Sequence, residues 1–196
     1  VRGGAVQPAV ILLHEIYGVN DHIRDVAAAL RKRGFAVHTP DLLGKVYGYD
    51  EEAAAYEHFM EVGFAAATGQ VAELAAGLAD RHERVFLVGY SAGATVAWLA
   101  SGRGLFAGAV GYYGSRIRDY PDVVPACPVL LLFPSHEDTF SVPDLAGRLA
   151  AKERVRVHIL PGRHGFADRR SPRYDAAAAA EADALTAAFL TGQTKK

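Results

Sequence analysis

The chain has 196 residues, 51% of them hydrophobic, which suffices for one compact domain whose core needs neither disulfides nor metal. Its 21 Lys and Arg stand against 22 Asp and Glu, and the net charge of −1 offers no broad field to nucleic acid or to an acidic membrane surface. No charged start leads into a signal-like apolar stretch and no apolar run is long enough to span a bilayer, so the expectation is a soluble, cytoplasmic protein forming one domain over residues 1–196.

Short β-branched apolar runs alternate with longer segments rich in Ala, Leu and Glu. In chain order, the pattern predicts a strand at 9–13, a helix at 22–33, a strand at 36–38, an irregular loop at 41–50 and helices at 51–61 and 66–81. A strand at 85–88, a helix at 94–101, strands at 106–112 and 129–133, a helix at 143–152, a strand at 155–160 and a helix at 174–190 complete it. Strands read as continuous apolar runs are buried on both faces, and their alternation with helices predicts an α/β architecture with a doubly wound, mostly parallel sheet and no second domain. The lone Cys127, between Pro125-Ala126 and Pro128, reads as a structural thiol. The chain opens on Val1 rather than Met, consistent with a trimmed start, and Lys195-Lys196 reads as a solvated tail.

The segment Gly89-Tyr90-Ser91-Ala92-Gly93 closes the 85–88 strand and opens the 94–101 helix. A G-x-S-x-G between a strand and a helix is the setting of a nucleophile elbow: the glycines allow close backbone approach and the serine hydroxyl projects from the carboxyl edge of the sheet. A hydroxyl needs a base to become a nucleophile, and the base needs an acid to orient it. His164, in the glycine-flanked turn after the 155–160 strand, is the base expected from position; His38 and His158 lie within strands, and His22, His58 and His82 within or beside helices. The acid should follow the 129–133 strand, where Asp138 is the first choice and Glu137 the reserve. The chain order Ser91, Asp138, His164 is that of the α/β-hydrolases.

Several further segments resemble the dienelactone hydrolases: His14-Glu15-Ile16-Tyr17-Gly18-Val19-Asn20, Ile23-Arg24-Asp25-Val26, Thr39-Pro40-Asp41-Leu42, Gly111-Tyr112-Tyr113-Gly114 and His164-Gly165-Phe166-Ala167. The resemblance spans about residues 10–168 and implies an α/β-hydrolase fold without a large cap domain. Family members typically carry cysteine at the elbow, so Ser91 aligns this chain with serine esterases. The resemblance makes Glu15 a supporting residue, which either holds the Ser91 rotamer or fixes its own loop. It also places Asp168 where members that take the acidic lactone carry an arginine for the substrate carboxylate, which predicts a preference for neutral esters unless Arg118, Arg163 or Arg169 substitutes.

Elbow geometry makes the Ala92 N–H one oxyanion donor, and the resemblance makes the Ile16 N–H the other. Tyr17, Tyr112, Tyr113 and Phe166 are the expected pocket walls. The triad chemistry needs neither a metal nor an organic cofactor, and the pairing of His14 with Glu15, and of His136 with Glu137-Asp138, lacks the His-x-x-x-His spacing of a helical metal site. The function read from the sequence is hydrolysis of a small ester or lactone through an acyl-enzyme, by a carboxylesterase similar to the dienelactone hydrolases. Acyl transfer or perhydrolysis by the same triad, or a non-catalytic binding role on the same scaffold, are the alternatives.

Overall fold

The computed structural model describes residues 7–194; Val1 and the Lys195-Lys196 end lie outside the described residues. Six strands, β1 (Ala9–Leu13), β2 (Ala36–His38), β3 (Val85–Tyr90), β4 (Gly108–Tyr112), β5 (Val129–His136) and β6 (Val155–Arg163), form one parallel sheet in the order β2-β1-β3-β4-β5-β6. The helices are α1 (Asp21–Lys32), α2 (Glu52–Val62), α3 (Phe64–Leu78), α4 (Ala92–Ser101), α5 (Val142–Ala150) and α6 (Ala176–Thr194), with short 3-10 turns at Tyr49–Glu51 and Ser115–Asp119.

Strand side chains alternate between faces, and both faces are covered. Val10, Leu12, Phe86 and Val88 join a core with Ile23, Ala27 and Leu30 of α1 and Ala182 and Phe189 of α6. Ile11, Leu13, Val85 and Leu87 join a second core with Phe59 of α2, Val71 of α3, Val96 of α4 and Leu149 of α5. This is why β1, β3 and the first six residues of β5 are buried at every position, whereas the edge strands β2 and β6 carry His38, Arg156 and His158 and are only partly buried. Residues 41–50 are mostly irregular, ending in the 3-10 turn, and no described helix is long and apolar enough to cross a membrane.

Four strand ends depart from the sequence expectation, with β3 running on to Tyr90 and β6 to Arg163. β4 begins at Gly108 rather than 106, where pairing with Phe86 starts. β5 continues past residue 133 through Pro134 to His136, because β6 extends alongside it to Arg163, and the register slips between Pro134 and His136. Pro134 has no N–H to give to a ladder, so a bulge is the form in which the strand can continue.

The strand order reverses between β1 and β3, the point at which an open parallel sheet leaves a crevice at its carboxyl edge. The loops after these two strands carry Glu15-Ile16 and Ser91. Loops after β5 and β6 reach the same edge.

Candidate active site

Ser91 follows β3 in the left-handed region, with φ 51° and ψ −111°, a conformation that costs a non-glycine residue about 1–3 kcal/mol and persists only where neighbours enforce it. Its N–H donates to Tyr112 O at 2.9 Å, and its carbonyl accepts from Thr95 N at 3.2 Å as α4 begins. The flanking glycines are steric requirements. A Cβ on Gly89 would fall 2.2 Å from Gly93 O, and one on Gly93 would fall 2.5 Å from Leu13 O. The start of α4 therefore lies directly against the end of β1, which brings the Ile16 turn beside the serine.

Ser91 Oγ and His164 Nε2 are 2.8 Å apart. His164 Nδ1 is 2.8 Å from Glu137 Oε1, whose side chain is only 8% exposed. A Nδ1–H donating to the carboxylate leaves Nε2 free to accept the serine proton, the tautomer that a general base requires.

The acid partner of His164 is thus Glu137, and the expectation of Asp138 is corrected. Asp138 is 78% exposed and pairs with His136 Nε2 at 2.8 Å and Arg163 at 3.6 Å. The bulge at the end of β5 shifts which residue of the following loop turns inward, and the alternation seen in residues 129–133 does not register that shift.

Ile16 and Ala92 line one cavity of about 390 Å³ with Ser91, His164 and Glu137, within the range of small-molecule sites. As the first residue of α4, Ala92 has an N–H with no acceptor inside the helix. Tyr56, Phe59 and Met60 of α2 with Phe64 of α3 supply an apolar wall, and Arg116, Arg118, Arg163 and Arg173 line the same cavity. Sequence reasoning missed α2, Arg116 and Arg173, because Tyr56, Met60 and Arg173 are exposed and no motif distinguishes an arginine beside a pocket from a solvated one.

The expected aromatic walls are corrected in three of four cases. Tyr112 is buried, stacks on Tyr90 at 4.4 Å between centroids and bonds Thr186 Oγ1 at 2.7 Å, on the α6 face of the sheet. Tyr113, with φ 40°, and Phe166 are fully buried, and the Tyr113 ring lies 5.0 Å from that of His164 and 5.2 Å from that of Phe166. They back the histidine rather than line the cavity. Tyr17 is half-buried and borders a side chamber of about 50 Å³ together with Glu15, Tyr49, Ser91, His164 and Asp168.

Glu15 is buried, and desolvation pushes its carboxyl above the ordinary range, against the partial relief of His22 and His164. His14 Nε2 accepts from Leu42 N at 3.0 Å while Nδ1–H donates to Glu15 O at 2.6 Å, and burial lowers its pKa. This neutral ring pins the 41–50 segment to β1, and both its nitrogens are occupied.

Asp168 is also corrected: it does not sit as a charge on the rim of the large cavity but is 1% exposed. It accepts from the Tyr49 hydroxyl and from Arg170 N at 2.9 Å, with His22 Nδ1 at 3.6 Å. Arg118 and Arg163 line the Ser91 cavity, whereas Arg169 borders a separate cavity of about 380 Å³ against α1 and α6. Cys127 is buried, and burial pushes its thiol up to about 11, consistent with a packed rather than reactive sulfur.

The model of the family described as "Dienelactone hydrolase family" matches residues 2–193. The chain is 41% identical over 177 residues to the uncharacterized protein YczH of Bacillus subtilis (strain 168), covering 87% of this chain and 86% of that one. It is 30% identical over 211 residues to carboxymethylenebutenolidase of Pseudomonas putida, covering 98% and 89%. A candidate dienelactone hydrolase from Klebsiella pneumoniae subsp. pneumoniae MGH 78578 superposes with a TM-score of 0.82 at 19% identity, over 97% of this chain and 89% of that one, which shows a shared fold.

Proposed function

The chain belongs to the dienelactone hydrolase family of α/β hydrolases, and from that premise we propose that it is a one-domain carboxylic ester hydrolase acting on small esters or lactones with Ser91 as nucleophile. The observation that carries this reading is the unbroken line from Ser91 Oγ through His164 to Glu137, each link 2.8 Å. His164 Nε2 takes the serine proton as Oγ attacks the carbonyl carbon, and the Glu137 carboxylate stabilises the imidazolium. The developing oxyanion meets the N–H groups of Ile16 and Ala92. Collapse expels the alcohol with the proton from Nε2. Water, deprotonated by the same nitrogen, then attacks the acyl group and releases the acid with Ser91 regenerated.

Every step in this scheme uses side chains and amides of the chain itself. Release of acid from a short nitrophenyl ester by the wild type, lost in Ser91→Ala with the fold intact, tests it. Equal turnover by the two proteins contradicts it. Added alcohols or peroxide that divert most of the acyl group would make the protein an acyltransferase or perhydrolase instead.

A second reading of the substrate rests on Arg118 and Arg163 lining the cavity. With Asp168 withdrawn from the rim, the charge argument against acidic substrates lapses, and a lactone bearing a carboxylate, as the name of the Pseudomonas putida relative spells out, has guanidinium partners at hand.

A further inference from the structure

One side chain across the apolar end of the cavity takes no part in this chemistry. α2 buries only Ala55 and Phe59, so it lies against the body as a lightly packed arm, and its Tyr56 and Met60 are exposed beside the cavity. Opposite it, in the Ser115–Asp119 turn, Arg116 reaches over. Its Nε donates to Asp119 Oδ2, which holds the side chain extended, and an Nη donates to the Tyr56 hydroxyl. The same nitrogen lies 4.0 Å from Met60 Sδ, and the guanidinium carbon is 6.0 Å from the centre of the Phe64 ring. A planar fork with five donors can hold Asp119 and Tyr56 together, which the single ammonium of lysine on a flexible stem does poorly.

Resting on the ester-hydrolase reading of Ser91, we propose that Arg116 is a specificity-determining latch: it ties α2 to the 115–119 turn, closes the apolar end of the cavity and confines the acyl group to short chains. Segments with few buried apolar contacts open most readily, and α2 is such a segment. Release of the latch lets a longer acyl chain run out over Phe59, Met60 and Phe64. Each additional buried methylene is about fourfold in binding, so two of them are about 15-fold.

The test is the ratio of kcat/KM for nitrophenyl octanoate to that for nitrophenyl acetate. Arg116→Ala should raise this ratio about tenfold or more, through a lower KM for octanoate, while kcat for acetate stays within about threefold of wild type. Tyr56→Phe, which removes one anchor and no packing volume, should move the ratio in the same direction by less. Arg116→Lys should follow Arg116→Ala. An unchanged ratio in Arg116→Ala with acetate turnover intact overturns the proposal, as does a wild-type profile in the lysine variant, which would mean that charge and not span matters. If Arg116→Ala does not fold, the Tyr56→Phe ratio decides, and no shift there overturns the latch. A wild-type protein inert to every ester, with Ser91 unreactive, overturns the proposed function and the latch together; activity with an unaltered chain-length profile overturns the latch alone.

Discussion

His164 Nδ1 lies 2.8 Å from Glu137 Oε1, while Asp138, one residue on, points into solvent beside His136. Glu137→Gln should therefore lower kcat by roughly 10³- to 10⁴-fold, because a neutral amide neither fixes the useful tautomer nor stabilises the imidazolium. Asp138→Asn should remain within about threefold of wild type, since an exposed ion pair contributes at most about 1 kcal/mol. Steady-state kinetics on one short ester decides between them, and a severe defect in Asp138→Asn alone would reverse the assignment.

Glu15 makes stability depend on pH. Its carboxyl is raised above the ordinary 4.5, chiefly by burial, so the folded state holds a proton that the unfolded chain gives up once pH exceeds that value. The stabilising contribution is complete below about 4.5 and is lost as pH rises through the raised folded value. Glu15→Gln keeps the shape of the neutral acid without the titration. Its melting temperature should gain on that of the wild type as pH is raised from 5 to 8; a difference independent of pH would mean that Glu15 is not held protonated.

Asp168→Arg should destabilise rather than retarget the enzyme. The aspartate is buried, accepts from Tyr49 and Arg170 and faces His22, so a guanidinium there loses those bonds and buries an uncompensated charge. A loss of about 3–5 kcal/mol is expected in denaturant unfolding. A stable Asp168→Arg protein with enhanced turnover of acidic lactones would show that the side chain reaches the substrate after all.

The arginines of the cavity make a separate claim. Arg163→Gln should lower kcat/KM for a carboxylate-bearing dienelactone by about 10- to 150-fold, the equivalent of one charge-assisted hydrogen bond, and leave a neutral butyrate ester nearly unchanged. The loss should shrink at high salt, because Arg163 is exposed. Parallel losses on both substrates would remove Arg163 from recognition.

What was legible in the chain follows from how local each signal is. The apolar runs beginning at Ala9, Val85 and Val129 read as strands buried on both faces, and the glycines around Ser91 announce a turn that no side chain at Gly93 could survive. His164 was legible because it follows the last strand. Glu137 was not, since the choice between two adjacent carboxylates depends on a register slip beside Pro134 that only the pairing with β6 reveals. Tyr112, Tyr113 and Phe166 look like pocket aromatics in sequence, yet they lie within the core, where each ring buries a large apolar area. Arg116 and Tyr56 meet across 60 residues of chain, and nothing local in either segment signals it.

The most direct test is to treat the native protein with a fluorophosphonate and locate the adduct by mass spectrometry. One equivalent should attach at Ser91, whose Oγ is within 2.8 Å of His164 Nε2, and labelling should disappear in Ser91→Ala and His164→Ala while Cys127→Ser labels normally and stays active. An adduct at another residue, or an unlabelled wild-type protein that nonetheless hydrolyses esters, would contradict the account.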